Sequence, residues 1–358
     1  MTGRRAAALA ALAAAVSPVG AQTLASRVDA VRDGIVIVSY AGRPEICGDG
    51  SSSIQFGRQI YSFGDRFGHV AGITPRCEAG PVQVSIGRAG GETVSIRTRV
   101  GGRLAPSAGE TSLAVPAREG AAYFFARSHE LIGRRNAEQA LIAAVVADSV
   151  TVTAPLVGVI RDANARLDLR QFAAMLLGDI DEPEGRPALR AVIADADLPR
   201  DLRGSAIIGF GQRDLALADA EFLERLYPSL TSTLRDNVLL ALSRSDDPRA
   251  YHWLTAKALD STESMAMRKQ ALFWAGQGAM PSSDLVAVYE RLDSRELKEH
   301  FTFVLSQRRD ERAIDKLIDV VNHERDMTVR RQALFWLGQS KEPKAQAFLR
   351  DVILRGDR

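Results

Sequence analysis

The chain is short of the residues that most often announce chemistry. It carries five histidines in 358 residues. His69, His129, His252, His300 and His323 are scattered, and none is placed at metal-ligand spacing. There is no nucleophile elbow, phosphate loop or dinucleotide fingerprint. The sequence therefore supplies no catalytic residue, no metal site and no cofactor site. Excess charge is also missing: 46 Lys and Arg stand against 44 Asp and Glu. Two of those cations, Arg4 and Arg5, sit at the extreme N-terminus, so the rest is near neutral. A nucleic-acid binder needs a basic excess, and its absence argues against nucleic acid as a partner. Long apolar runs are lacking too. The one unbroken stretch, Ala6 to Val16, falls well below the roughly 20 residues that span a bilayer.

That stretch has a different meaning. Arg4 and Arg5 precede it, Ser17, Pro18 and Gly20 break it, and Val19-Gly20-Ala21 offers small residues at a cleavage site. These are the three parts of a secretory signal peptide, which assigns residues 1–21 to a leader cut after Ala21. The expected location is the periplasm or cell envelope, or outside the cell, with no integral membrane segment after cleavage. The two cysteines, Cys47 and Cys77, then read as a disulfide. Closing that loop stabilises by roughly 3–4 kcal/mol on a chain-entropy argument. Metal binding is the rival reading, with His69 alone nearby as a further ligand.

Two periodicities divide the remainder. Residues 22–115 show little helical pattern. Gly34 to Tyr40 is β-branched; Ile54 to Phe56 and Ile60 to Phe63 are short alternating pieces. Val82 to Ile86 and Thr93 to Val100 alternate around Arg88-Ala89-Gly90-Gly91, a hairpin signal. This is a small β-rich domain without a recognisable family. From Pro116 onward, residues 116–358 read as short helices and short loops.

Within the helical part six segments superimpose. They begin at Leu169, Leu202, Leu234, Met267, Leu297 and Val329, and the starts are 33, 32, 33, 30 and 32 residues apart. A near-constant period of this size marks a solenoid. In each segment the first, fifth and ninth residues are apolar and share one helical face. The tenth is Gly or Ser, suited to ending a helix. Ala313 to Val321 is the clearest of the second helices that lie between the copies. Asn136 to Val145 reads as a degenerate first unit and Lys344 to Leu354 as a cap.

The segment Val329-Arg330-Arg331-Gln332-Ala333-Leu334-Phe335-Trp336-Leu337-Gly338, followed by Lys341-Glu342-Pro343, resembles a HEAT repeat of the short type found in bilin-lyase-like HEAT proteins. The resemblance covers about 134–355. It implies a curved stack whose motif helices line the concave side, with the holding of a partner as the usual role. It carries no chromophore or lyase activity to this chain.

Three columns of the repeat invite functional readings. The seventh position is apolar throughout: Met175, Ile208, Leu240, Phe273, Phe303 and Phe335. With the eighth, which includes Trp274 and Trp336, it reads as core between repeats. The second position is Arg170, Arg203, Arg235, Arg268, Lys298 and Arg330, expected as a ladder pairing with carboxylates and helix ends of neighbouring repeats. The third and fourth positions are mostly polar and vary. They make Gln171, Asp236, Asn237, Lys269, Gln270, Glu299, His300, Arg331 and Gln332 the candidate partner-binding residues. The fold expected is mainly α, a HEAT-like α-α solenoid after a small β-rich domain. The function expected is an exported scaffold that binds an unidentified protein and is not an enzyme. The alternatives are an enzyme with its site in the β-rich domain, or a structural protein of the envelope.

Overall fold

The computed structural model describes residues 22–51, 53–56, 59–62, 77–102, 109–131, 133–212, 215–308 and 310–356. The expected leader, 1–21, lies outside them, as do Phe63 and His69. A short helix, α1 (Leu24–Asp29), opens the chain and is followed by β1 (Gly34–Tyr40), β2 (Ile46–Gly48), β3 (Ser53–Phe56), β4 (Gln59–Ser62), β5 (Val82–Ala89), β6 (Glu92–Val100) and β7 (Thr111–Ala114). The strands form a four-stranded sheet in the order β6-β5-β1-β7 and a three-stranded sheet β2-β3-β4. Every pairing is antiparallel except β1 with β7. The β5–β6 hairpin turns through Gly90 and Gly91, both at positive φ (59° and 86°), the conformation that a two-residue turn demands and glycine supplies. Helix α1 was not legible in the pattern. Its N-terminus is held from elsewhere: the Leu24 amide donates to Glu119 Oε1 at 2.9 Å. Cys47 and Cys77 are joined in a disulfide with their Cα atoms 5.1 Å apart, so both sulfurs are committed to each other.

Sixteen helices are described in all. After α1 come α2 (Ala117–Glu130), α3 (Arg134–Val145), α4 (Thr153–Arg161), α5 (Leu167–Asp179), α6 (Gly185–Ala194), α7 (Arg200–Phe210), α8 (Leu217–Leu226), α9 (Ser232–Ser243), α10 (Pro248–Leu259), α11 (Met265–Gln277), α12 (Ser282–Ala287), α13 (Arg295–Gln307), α14 (Glu311–His323), α15 (Met327–Gln339) and α16 (Pro343–Gly356). The six motif segments are α5, α7, α9, α11, α13 and α15, each entering its helix two residues before the motif begins. The even-numbered helices from α4 to α14 pair with them as outer helices. The first, fifth and ninth residues of every repeat are buried. A single core runs from the strands through the helices, and the whole is an α-α solenoid preceded by a β-rich segment.

The join between strands and helices is built from side chains that satisfy exposed backbone. β6 is an edge strand, whose unpaired amides and carbonyls would otherwise invite another chain. Helix α3 covers it. Asn136 Oδ1 accepts from the Ile96 amide at 3.2 Å and its Nδ2 donates to the Val94 carbonyl. Gln139 Oε1 accepts from the Thr98 amide at 2.6 Å. Further along, the Tyr40 hydroxyl donates to the Ala143 carbonyl at 2.6 Å.

Two columns differ from expectation. The tenth residue ends the helix in two repeats, where Gly211 is the C-cap of α7 and Ser243 is the last residue of α9, but Gly178, Gly276, Ser306 and Gly338 lie inside their helices, and none of these three glycines has positive φ. Smallness serves close approach instead. A Cβ on Gly178 would overlap the Gly209 carbonyl of the next motif helix, and one on Gly276 would overlap the Val304 side chain. A Cβ on Gly338 would meet nothing. Gly178→Ala is therefore expected to lose about 1–3 kcal/mol through overpacking. Gly338→Ala should gain up to about 1 kcal/mol from helix propensity. Thermal melts followed by circular dichroism compare the two, and a gain in both would refute the close-approach account.

The second-column arginines differ from expectation in the helix end they meet, which belongs to their own hairpin, while the expected pairing with carboxylates of the following unit is seen for Arg235, Arg268 and Lys298. In five repeats Nε donates to a carbonyl at the end of the preceding outer helix: Arg170 to Ile160, Arg203 to Ile193, Arg235 to Tyr227, Arg268 to Ala258 and Arg330 to Val321, at 2.8–3.1 Å. Each satisfies one of the orphan carbonyls a helix leaves at its C-terminus. The acids of the following unit take what remains, as with Arg268 and Asp293 at 2.8 Å. Lys298 has no Nε–H to offer. It pairs with Glu324 at 2.9 Å and lies over the Tyr289 ring.

Candidate binding face on the motif helices

Successive motif helices lie against one another along much of their length, while successive outer helices barely meet. Small residues allow this on one side only, so the motif helices form the inner side of the curve. On a helix of about 3.6 residues per turn, the seventh position points roughly 160° away from the face shared by the first, fifth and ninth. The structure agrees. Met175, Ile208, Leu240, Phe273 and Phe303 are partly buried and Phe335 is 52% exposed. The reading of this column as core is therefore corrected in part: Phe273 and Phe303 pack partly buried against the core, and no member is fully buried, so the column forms an apolar row along the inner surface. The eighth column is split. Leu176, Gly209, Ala241 and Val304 are buried, while Trp274 and Trp336 reach the surface.

The aromatic members of these columns form a staircase. Phe273 and Phe303 are stacked at 6.2 Å with planes 5° apart, and Phe303 meets Trp336 at 5.3 Å. The Trp274 indole is fixed by donating Nε1 to Asp236 Oδ1 of the preceding motif helix at 2.9 Å. Trp336 Nε1 is buried and has no hydrogen-bond partner among the described residues. The residue that corresponds to Asp236, Glu299, turns instead to Arg295 at 3.4 Å.

The nine polar candidates lie beside this row. Gln171 donates to the Asp201 carbonyl at 3.2 Å, and Asn237 packs over Gly204. Lys269 pairs with Glu296 at 2.5 Å. His300 donates Nε2–H to the Lys269 carbonyl at 3.1 Å, and burial pushes its imidazole pKa below the ordinary value. Gln270 and Gln332 are half-buried and Arg331 is exposed. Asp236, Gln171, Lys269 and His300 thus tie adjacent motif helices together along the face they were expected to line.

The eleventh column was overlooked, because it falls one residue beyond the repeat as written. It holds Asp179, Gln212, Arg244, Gln277, Gln307 and Gln339, four of them amides and one a cation. Around its middle lies a cavity of about 600 Å³, lined among others by Gln212, Leu240, Arg244, Trp274 and Gln277. At the first rung the chain occupies the face itself. Tyr61 of β4 sets its ring edge-on against Phe172 at 6.0 Å, and its hydroxyl donates to Asp179. Burial, then the Asp179 charge, raise the Tyr61 pKa well above the ordinary value.

Among the described residues no group of three or more His, Cys, Asp and Glu gathers in a metal-binding arrangement, and no helix is long and apolar enough to cross a membrane.

No protein-family profile matches the chain, and no curated protein matches it. Among solved structures the chain is similar to human deoxyhypusine hydroxylase in complex with glycerol, at 17% identity and a TM-score of 0.30, over 66% of this chain and 90% of that one. That protein is an enzyme, and the expectation that the present chain is not one is corrected on this finding. At this level of likeness neither an activity nor a ligand passes to this chain.

Proposed function

We propose that the chain is an exported HEAT-type repeat scaffold, with repeats of the short bilin-lyase-like kind, whose inner face binds another protein in the periplasm or cell envelope. The observation that carries this reading is the seventh column, six apolar side chains in six repeats and none of them buried. A continuous apolar row left in water is unfavourable unless a partner covers it. The export half of the reading rests on the leader-like residues 1–21 and on the disulfide, a bond that persists in oxidising compartments. N-terminal sequencing of protein recovered from the envelope fraction is expected to begin at Gln22.

The test of the face uses the full chain as bait in an envelope extract, beside a Phe273→Asp/Phe303→Asp variant. Both rings are partly buried against the core and stack on one another, so the variant is expected to lose some stability, and capture is compared below the onset of unfolding of both chains. A partner held by the unaltered chain and lost by the variant supports the reading. Equal capture by both removes the inner face from consideration.

A further inference from the structure

The cavity between α7, α9 and α11 differs from the rest of the inner face in one respect. Arg244 is the only cation of the eleventh column. It is exposed, and its guanidinium has no partner among the described residues. One turn earlier on the same helix stands Leu240, about 5–6 Å away at the Cβ level, and across the cavity stands the Trp274 indole, held in place by Asp236. Gln277 is exposed on the same rim. Gln212 satisfies Asp179 only when its amide is turned to bring the nitrogen within 3.2 Å of that carboxylate, an orientation that leaves its carbonyl to accept.

The first rung shows what such a place accommodates. There a single residue, Tyr61, lays an apolar body on the fourth-column Phe172 and brings a donor tip to the eleventh-column acid, Asp179. At the third rung the eleventh column is a cation, so the complementary group is an apolar body with an anionic tip. We propose that this cavity anchors the C-terminal residue of a peptide partner. Its α-carboxylate would lie on Arg244, its apolar side chain between Leu240 and Trp274, and its backbone amide groups on Gln212 and Gln277. A terminal residue carries carboxylate and side chain on one Cα. Neighbouring residues within an extended strand point to opposite faces instead. The two amides favour a peptide over a fatty acid, which has no backbone to engage them. Asp246, also on the cavity rim, disfavours a run of acids. The proposal rests on the inner face being the protein-binding surface and names the end of the partner it takes.

The experiment titrates the full chain by calorimetry with acetyl-Gly-Gly-Ala-Leu as free acid, the same peptide as C-terminal amide, an amidated peptide with an internal Glu, and decanoate. The free acid is expected to bind roughly tenfold or more tighter than its amide, the worth of one charge-assisted hydrogen-bonded pair. Arg244→Gln should reduce the acid to the level of the amide with an unchanged melting profile. The anchor is overturned by equal binding of acid and amide, by indifference to Arg244→Gln, by stronger binding of the internal-Glu peptide or of decanoate, or by no peptide binding. If the anchor fails while partner capture is still lost on Phe273→Asp/Phe303→Asp, the binding face stands without it. If the acid binds through Arg244 while capture survives that variant, the anchor stands and the wider face falls.

Discussion

Glu182→Ala is expected to destabilise the protein by about 3–5 kcal/mol, the loss typical of breaking a buried ion pair from one side. The carboxylate is 9% exposed and its partner Arg43 12%. Helix α4 begins at Thr153 with no side-chain cap of its own, and Glu182 supplies one from the loop after α5. It accepts from the Val152 amide, the Thr153 amide and the Thr153 hydroxyl at 2.7–3.1 Å, and from Arg43 Nη2 at 3.0 Å. Arg43 in turn donates to the carbonyls of Val145 and Val150 at the exit of α3. A carboxylate at a helix start and a guanidinium at a helix end each oppose the local partial charge. Burial would raise the pKa of Glu182, but the Thr153 hydroxyl, the two amides and Arg43 outweigh it, and the value is lowered. The sign follows: the contribution is full at neutral pH. It fades as acid takes the solution below the unfolded carboxylate range, about 4.3, and through the lowered folded value. Denaturant midpoints measured across pH should therefore converge for wild type and Glu182→Gln under acid. A loss below about 1 kcal/mol in Glu182→Ala at pH 7 would place the pair among surface bridges of little worth.

The second large effect is expected at Phe301. The fifth column is Ala in four repeats (Ala173, Ala206, Ala271 and Ala333), and Ala is native there at no penalty. At Phe301 the same residue should lose about 3–5 kcal/mol. The outer helix explains the difference. In this unit α12 has six residues and continues only as a single 3-10 turn, Tyr289–Arg291, so the inner helix must fill what a longer outer helix fills elsewhere. The Phe301 ring is fully buried and meets Tyr289 at 5.7 Å. The 30-residue spacing before Leu297 marks the same shortening. Thermal unfolding of Phe301→Ala beside Ala271→Gly, a smaller deletion in the same column, measures the contrast. Equal losses in the two would mean that the ring fills no gap.

Periodicity made the solenoid legible. Six helices repeat with the same three buried positions, β5 and β6 alternate, and β1 is a β-branched run, so all three strands are located from residue type alone. The Cys47–Cys77 bond was legible from isolation of the pair. The short elements were not: β2 and β7 have three and four residues and are set by their partners, and α1 is held by Glu119. On the candidate face the misreading has an exact geometric source. Apolar character in every repeat suggests burial, but it records only that each repeat does the same thing. Direction decides burial, and by direction Met175, Leu240 and Phe303 point away from the first-fifth-ninth face and stay only partly buried. Arg244 was missed because the repeat was written one residue too short.

The arginine that returns to its own outer helix bears on how such a chain grows. The bond that closes a hairpin stays within it, and the close approach between neighbours runs through small residues such as Gly178 and Gly276, with polar ties such as Lys269 to Glu296 added from one unit to the next. Duplication of one hairpin carries its clasp along, and loss of one leaves every other clasp shut. Array length can then drift between descendants while each unit keeps its stability, and the inner row of side chains lengthens or shortens in whole rungs, so that the reach of the face, and with it the length of partner it covers, is set by copy number.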